Sequence, residues 1–269
     1  MIWSCSSCCF CCCFTCCRPL GGTFEKMGTN WKKRIQEYDP SGLMLSLSGI
    51  VLGVMLAVAE YRVDYWAALA LILTAGLIHA YMQSQNKWWM AASVAGAVLT
   101  VWLSYGTLFS LESLILLLFA YFIIRLARGM GGRGRISDGV LTCLLKGPVA
   151  LVGAYFVCTH SFPYWFFLFP SLSVGFLCVA ADGTADNYGK VLINLLIYIG
   201  IALMVTYSGL RIFAPVHYLF LITLPAFIYI TARMFMKKEQ APDTYRPALA
   251  LSTFALAFLT GVGFIGYLF

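Results

Sequence analysis

Two aspartates stand four residues apart in "CVAADGTADNYGKVL", Cys178 to Leu192, where a long apolar run stops. On a helix, positions i and i+4 share one face, so Asp182 and Asp186 would present two carboxylates to a single divalent cation. Magnesium takes one or two carboxylates together with the phosphate oxygens of a substrate. Lys190 follows four residues later and would add a point charge to the same phosphate. The plainer use of these residues is a helix cap and a loop lysine that orients a membrane segment. Lys146 also draws attention, because it lies inside an apolar run, about 12 Å along a helix from Asp138 at ~1.5 Å per residue. A charge there either meets a ligand in a central cavity or snorkels to the membrane surface. In "RLARGMGGRGRISDG", Arg133 and Arg135 stand among glycines. They would close over a diphosphate there or simply mark a basic loop.

The elements that must position these groups follow from composition. The chain of 269 residues is 61% hydrophobic and 11% charged. That is too apolar for a soluble domain to bury. Continuous apolar runs, rather than alternating ones, predict membrane helices and exclude a barrel. Nine such runs occur: 42–59, 65–81, 88–108, 111–124, 140–159, 164–181, 191–207, 215–234 and 247–269. The fold class expected is therefore all-α, a polytopic bundle of about nine transmembrane helices. Fifteen of the 18 basic residues fall in alternate connections or, for Arg233, at the end of the run that enters one; two (Arg62 and Arg211) fall in the others, and Lys146 lies deep within a span. The positive-inside rule then places the N-terminus and the Asp182 loop in the cytoplasm. It also accounts for most of the net charge of +7. Basic residues are not interleaved with aromatics in a polar domain, so nucleic acid is not expected as a partner, whereas membrane lipid is.

Residues 1–41 are expected to form a cysteine-rich, basic cytoplasmic segment, followed by the membrane domain at 42–269. Eight of eleven cysteines lie in "MIWSCSSCCFCCCFTCC" without a histidine beside them. A zinc site is accordingly a poor expectation. Palmitoylation at a membrane surface is one use for them. The other reading is a start codon placed too early, with residues 1–26 lying ahead of a true start at Met27.

The stretch "KGPVALVGAYFVCTHSFPYWFFLFPSLSVGFLCVAADGTADNYGK", Lys146 to Lys190, resembles the middle of the UbiA-type intramembrane prenyltransferases. It is most similar to the branch that prenylates 1,4-dihydroxy-2-naphthoate in menaquinone synthesis. The resemblance is carried by Gly147-Pro148, Gly153-Ala154-Tyr155-Phe156, Gly175, Asp182, Asp186 and Gly189-Lys190. It covers about a sixth of the chain. It implies a UbiA-like nine-helix bundle in a bacterial inner membrane, with aspartate motifs on the cytoplasmic loops after helices two and six. It implies Mg2+ held by Asp182 and Asp186, and a polyprenyl diphosphate held by Lys190, Lys146, Arg133 and Arg135. An aromatic acceptor would take the prenyl group while the metal ions draw off diphosphate.

The loop matching the first motif reads "HAYMQSQNK", with His79, Gln83 and Asn86 but no carboxylate. His79 suits either an acceptor's base or, better, an interhelical hydrogen bond. The expected function is thus a prenyltransferase homologue. Two alternatives remain: a UbiA-fold protein that binds isoprenoid or a membrane partner without catalysis, and a small-solute transporter. A transporter would show paired repeats with broken helices, and none is evident between the halves.

Overall fold

The computed structural model describes residues 39–60, 63, 65–84, 87–105, 135–182, 187–211, 215–236 and 245–266. They belong to one compact unit, Asp39–Phe269, and among them there are helices but no strand. We number the α-helical segments α1 (Pro40–Glu60), α2 (Tyr65–Ser84), α3 (Lys87–Tyr105), α4 (Arg135–Leu144), α5 (Ala150–Thr159), α6 (Leu168–Asp182), α7 (Asn187–Arg211), α8 (Leu224–Met236) and α9 (Arg246–Ile265). Some of these are parts of one span: α4 and α5 are joined through a π turn at Leu145–Val149, and α8 continues a 3-10 segment at Pro215–Thr223. The expected span at 111–124 and the cysteine-rich segment lie outside the described residues.

Six helical stretches are long and apolar enough to cross a membrane: Pro40–Glu60, Gly139–Thr159, Trp165–Asp182, Gly189–Leu210, Pro215–Met236 and Arg246–Ile265, with Tyr65–Tyr81 a shorter apolar helix. By length and composition this is an integral membrane protein. Its outside is correspondingly apolar, with Leu73, Val94, Leu195 and Ile228 all exposed. In hydrocarbon such side chains need no cover.

α1 is the central helix, packed most extensively against α9 and α5; α7 packs on α6, and α2 pairs with α3. Glycines allow these close approaches. A Cβ on Gly49 of α1 would run into the Lys146 carbonyl oxygen, and one on Gly147 would run into the Ser171 carbonyl oxygen of α6. Four threonine hydroxyls inside the bundle are satisfied within their own helix. Thr74, Thr100, Thr253 and Thr260 each donate to the carbonyl four residues earlier. Helices tolerate such back-bonding at the cost of slight bending.

Three of the described spans depart from continuous α-helix: Trp165–Asp182 opens on a 3-10 turn at Trp165–Phe167, and in the other two a proline stands at or just past the irregular turn. Pro148 lies inside the π turn, beside Lys146. It has no N–H to give the Leu144 carbonyl and its ring crowds that oxygen, so the turn widens. Pro225 likewise cannot serve the Leu221 carbonyl. The helix up to Thr223 keeps the tighter 3-10 register over nine residues. Runs of that length are uncommon. Here side chains help to satisfy it: Ser208 Oγ donates to the His217 carbonyl (3.3 Å) and Thr223 Oγ1 to the Phe220 carbonyl (2.7 Å).

Candidate functional site

Three helix ends meet at one level. Asp182 is the last residue of α6, Arg246 the first of α9, and Asp39 immediately precedes Pro40 of α1. Lys146 reaches this level from below. Its neighbour Gly147 packs on Gly175. Gly175 lies seven residues before Asp182, which is about 10 Å deeper at ~1.5 Å per residue. The four-carbon stem spans most of that depth. Lys146 therefore snorkels, and its ammonium ends on a carboxylate rather than in water alone.

The resulting cluster is an alternating chain of charges. Lys146 Nζ donates to Asp182 Oδ2 at 2.7 Å, and Arg246 Nη2 donates to Asp182 Oδ1 at 3.2 Å. The same Nη2 lies 2.7 Å from Asp39 Oδ2. Two cations and two carboxylates make the cluster formally neutral. The Lys146 and Asp182 side chains are 22% and 29% exposed, so the pair is neither fully solvated nor buried. Arg246 Nε is buried and has no hydrogen-bond partner among the described residues. A guanidinium nitrogen at that position always carries a proton.

Asp39 is anchored from behind. Its backbone N–H donates to Gln83 Oε1 of α2 at 3.1 Å, and its carbonyl accepts from Leu43 N–H. With Gln83 Oε1 so fixed, the amide nitrogen faces His79 Nε2 at 3.1 Å. His79 Nε2 is thus the acceptor, which leaves the proton on Nδ1. Nδ1 donates to Ser46 Oγ of α1 at 3.3 Å. His79 makes the interhelical hydrogen bond expected of it, and Gln83 is committed to Asp39 and His79.

Of the residues singled out from sequence, Lys146 and Asp182 come together, with His79 and Gln83 one step behind them through Asp39. Lys190 lies in the first turns of α7, where its carbonyl accepts from Asn194 Nδ2 (2.9 Å); among the described residues it forms no ion pair. Arg135 begins α4. Asp186, Arg133 and Asn86 lie outside the described residues. Asp39 and Arg246 were missed, since one reads as a helix cap and the other as an orienting loop charge.

The described residues do not fit a magnesium ion. Asp182 has a cation on each oxygen, and a metal would have to displace one against the repulsion of the other. Gln83, the amide of the facing loop, is already bonded. Among the described residues no three His, Cys, Asp or Glu side chains converge as a ligand set. What the arrangement offers chemically is two cations, each already paired with a carboxylate, at the rim of an apolar bundle.

The far end of α1 is different in kind. Tyr155 hydroxyl donates to Glu60 Oε2 at 2.5 Å, and its ring packs on Phe167 at 4.9 Å. Tyr207 and Phe264 extend the aromatic layer, and His217 stacks on Phe264 at 4.3 Å. Tyr155 is thereby a core residue.

Comparison of the chain with models of known protein families gives no match, and comparison with curated proteins gives none.

Proposed function

We propose that the chain is a nine-helix, UbiA-like protein of a bacterial inner membrane, with its N-terminus cytoplasmic, that binds the diphosphate head of a polyprenyl lipid. The observation that carries this reading is the convergence of Lys146 and Arg246 on Asp182. The cluster stands where an apolar bundle meets its polar rim, so a prenyl tail would lie along the helices and its anionic head would meet the two cations. The carboxylate belongs to the segment that resembles the second aspartate motif, which in that family serves diphosphate chemistry.

The second reading is prenyl transfer to an aromatic quinone precursor with magnesium on Asp182 and Asp186. The spacing of those acids before Gly189-Lys190 favours it. Against it stand the absence of an acid from "HAYMQSQNK" and the occupation of both Asp182 oxygens by protein cations. Binding without transfer is therefore the better-supported function.

Membranes containing the full chain, incubated with labelled geranylgeranyl diphosphate, aromatic acids and magnesium, are expected to retain label on the protein and to form no prenylated product. Product that disappears in Asp182→Ala and Asp186→Ala would establish the transferase instead. No retained label would eliminate both readings.

A further inference from the structure

Asp182 and Arg246 each occupy the helix end that the backbone dipole penalises. The acid closes α6 and the cation opens α9. Carbonyls point outward at the first of these ends and N–H groups at the second. Neither placement helps its own helix, so their positions answer to each other and to whatever else the cluster binds. Arg246 Nε–H points the same way. It is a buried donor without a partner among the described residues, beside a guanidinium nitrogen that already serves two carboxylates.

We infer that the cluster is a metal-independent site for a phosphate-class oxyanion, in which Lys146 and Arg246 are the ligand's partners and Asp182 is the internal counter-ion that the ligand displaces. This rests on the diphosphate-binding reading and reverses the role that sequence spacing suggests for Asp182. Of the two acids, Asp182 is the one to leave. Its contact with Arg246 is 3.2 Å against 2.7 Å for Asp39. Among the described residues, its side-chain hydrogen bonds go to the two cations. Asp39 is held through its backbone to Gln83 and Leu43, and its Oδ2 sits over Gly42, where a Cβ would collide with it. Asp39 thus keeps Arg246 in place while the oxyanion takes Arg246 Nε–H and Lys146 Nζ. Guanidinium donors paired with a phosphate oxygen make strong, directional contacts. With Asp39 still on Arg246, displacing Asp182 frees one net positive charge for the oxyanion, and the remaining charge of a diphosphate stays toward the polar rim, so binding should weaken as salt is raised.

The test uses purified full-length protein in detergent. Equilibrium binding of inorganic pyrophosphate and of geranylgeranyl diphosphate is measured in excess EDTA and in excess magnesium. Both ligands are expected to bind in EDTA. Asp182→Asn should tighten binding about threefold, the size of a competing, partly exposed ion pair. Arg246→Gln should weaken it at least about tenfold, and Arg246→Lys, which keeps the charge but loses Nε–H, should fall between. Circular dichroism of each variant separates loss of binding from loss of fold. Binding that requires magnesium and weakens in Asp182→Asn would make Asp182 a metal ligand and overturn the inference while leaving diphosphate binding intact. Ligand bound equally by wild type, Asp182→Asn and Arg246→Gln would place the site elsewhere and overturn the inference in the same way. Pyrophosphate bound in EDTA without geranylgeranyl diphosphate would keep the oxyanion site and sink the lipid reading. Failure of both ligands would sink both.

Discussion

At the scale of single residues, the Lys146–Asp182 contact is close but modest in energy, because both side chains keep about a quarter of their surface in solvent. A double-mutant cycle with Lys146→Met and Asp182→Asn, read by unfolding in detergent, is expected to give a coupling of ~0.5–1 kcal/mol. A coupling several times larger would mean that the pair is a structural staple and that Asp182 is not free to leave. The two residues were legible in the sequence as charges in or beside apolar runs. Their pairing was not: 36 residues separate them, and 64 separate Asp182 from Arg246, so no helical spacing records either contact. Arg246 was hidden by its neighbours. In a stretch of sequence with Arg233, Lys237 and Lys238, a fourth base reads as one more orienting charge. Asp39 was hidden by Pro40, since acid followed by proline is the ordinary start of a helix.

At the scale of elements, the sequence located most of the described helices to within a few residues, because runs of ~20 apolar residues leave little latitude in a membrane. It did not disclose hydrogen-bond register. Pro148 stands in the sequence inside an apolar run, but whether a proline kinks, breaks or widens a helix depends on what surrounds the freed carbonyl. In this fold it widens the turn that carries Lys146. Replacing the ring should let the turn tighten to α, which rotates Lys146 relative to α5 by about 100°, one residue's worth of helix. Pro148→Ala is therefore expected to raise helicity and still lose geranylgeranyl diphosphate binding to the same extent as Lys146→Met. Undiminished binding in Pro148→Ala would show that the π turn has no part in aiming the ammonium.

At the scale of the whole molecule, orientation decides whether the ion cluster faces the compartment where polyprenyl diphosphates carry their heads. The distribution of basic residues predicts that it faces the cytoplasm. Single cysteines introduced at Arg62 and Arg211, in a chain with its native cysteines replaced, should react with a membrane-impermeant maleimide in intact cells. One at Lys237 should react only after lysis. The reverse pattern would turn the bundle over and remove the cytoplasmic part of the proposed function.

The 3-10 segment at Pro215–Thr223, nine residues long, bears on the same molecule in another way. A 3-10 helix advances ~2.0 Å per residue and an α-helix ~1.5 Å, so the segment covers about 18 Å instead of about 13.5 Å. α8 carries the stretch on to Met236. The whole is then about 37 Å long, against a hydrocarbon layer of ~30 Å. It must lean or overhang in a membrane of average thickness. A change of register to α would draw it in by about 4 Å without adding or removing a residue. Register thus sets reach: the 22 residues extend about 37 Å as they stand and would extend about 33 Å as unbroken α-helix, a difference that lipid of different thickness would feel.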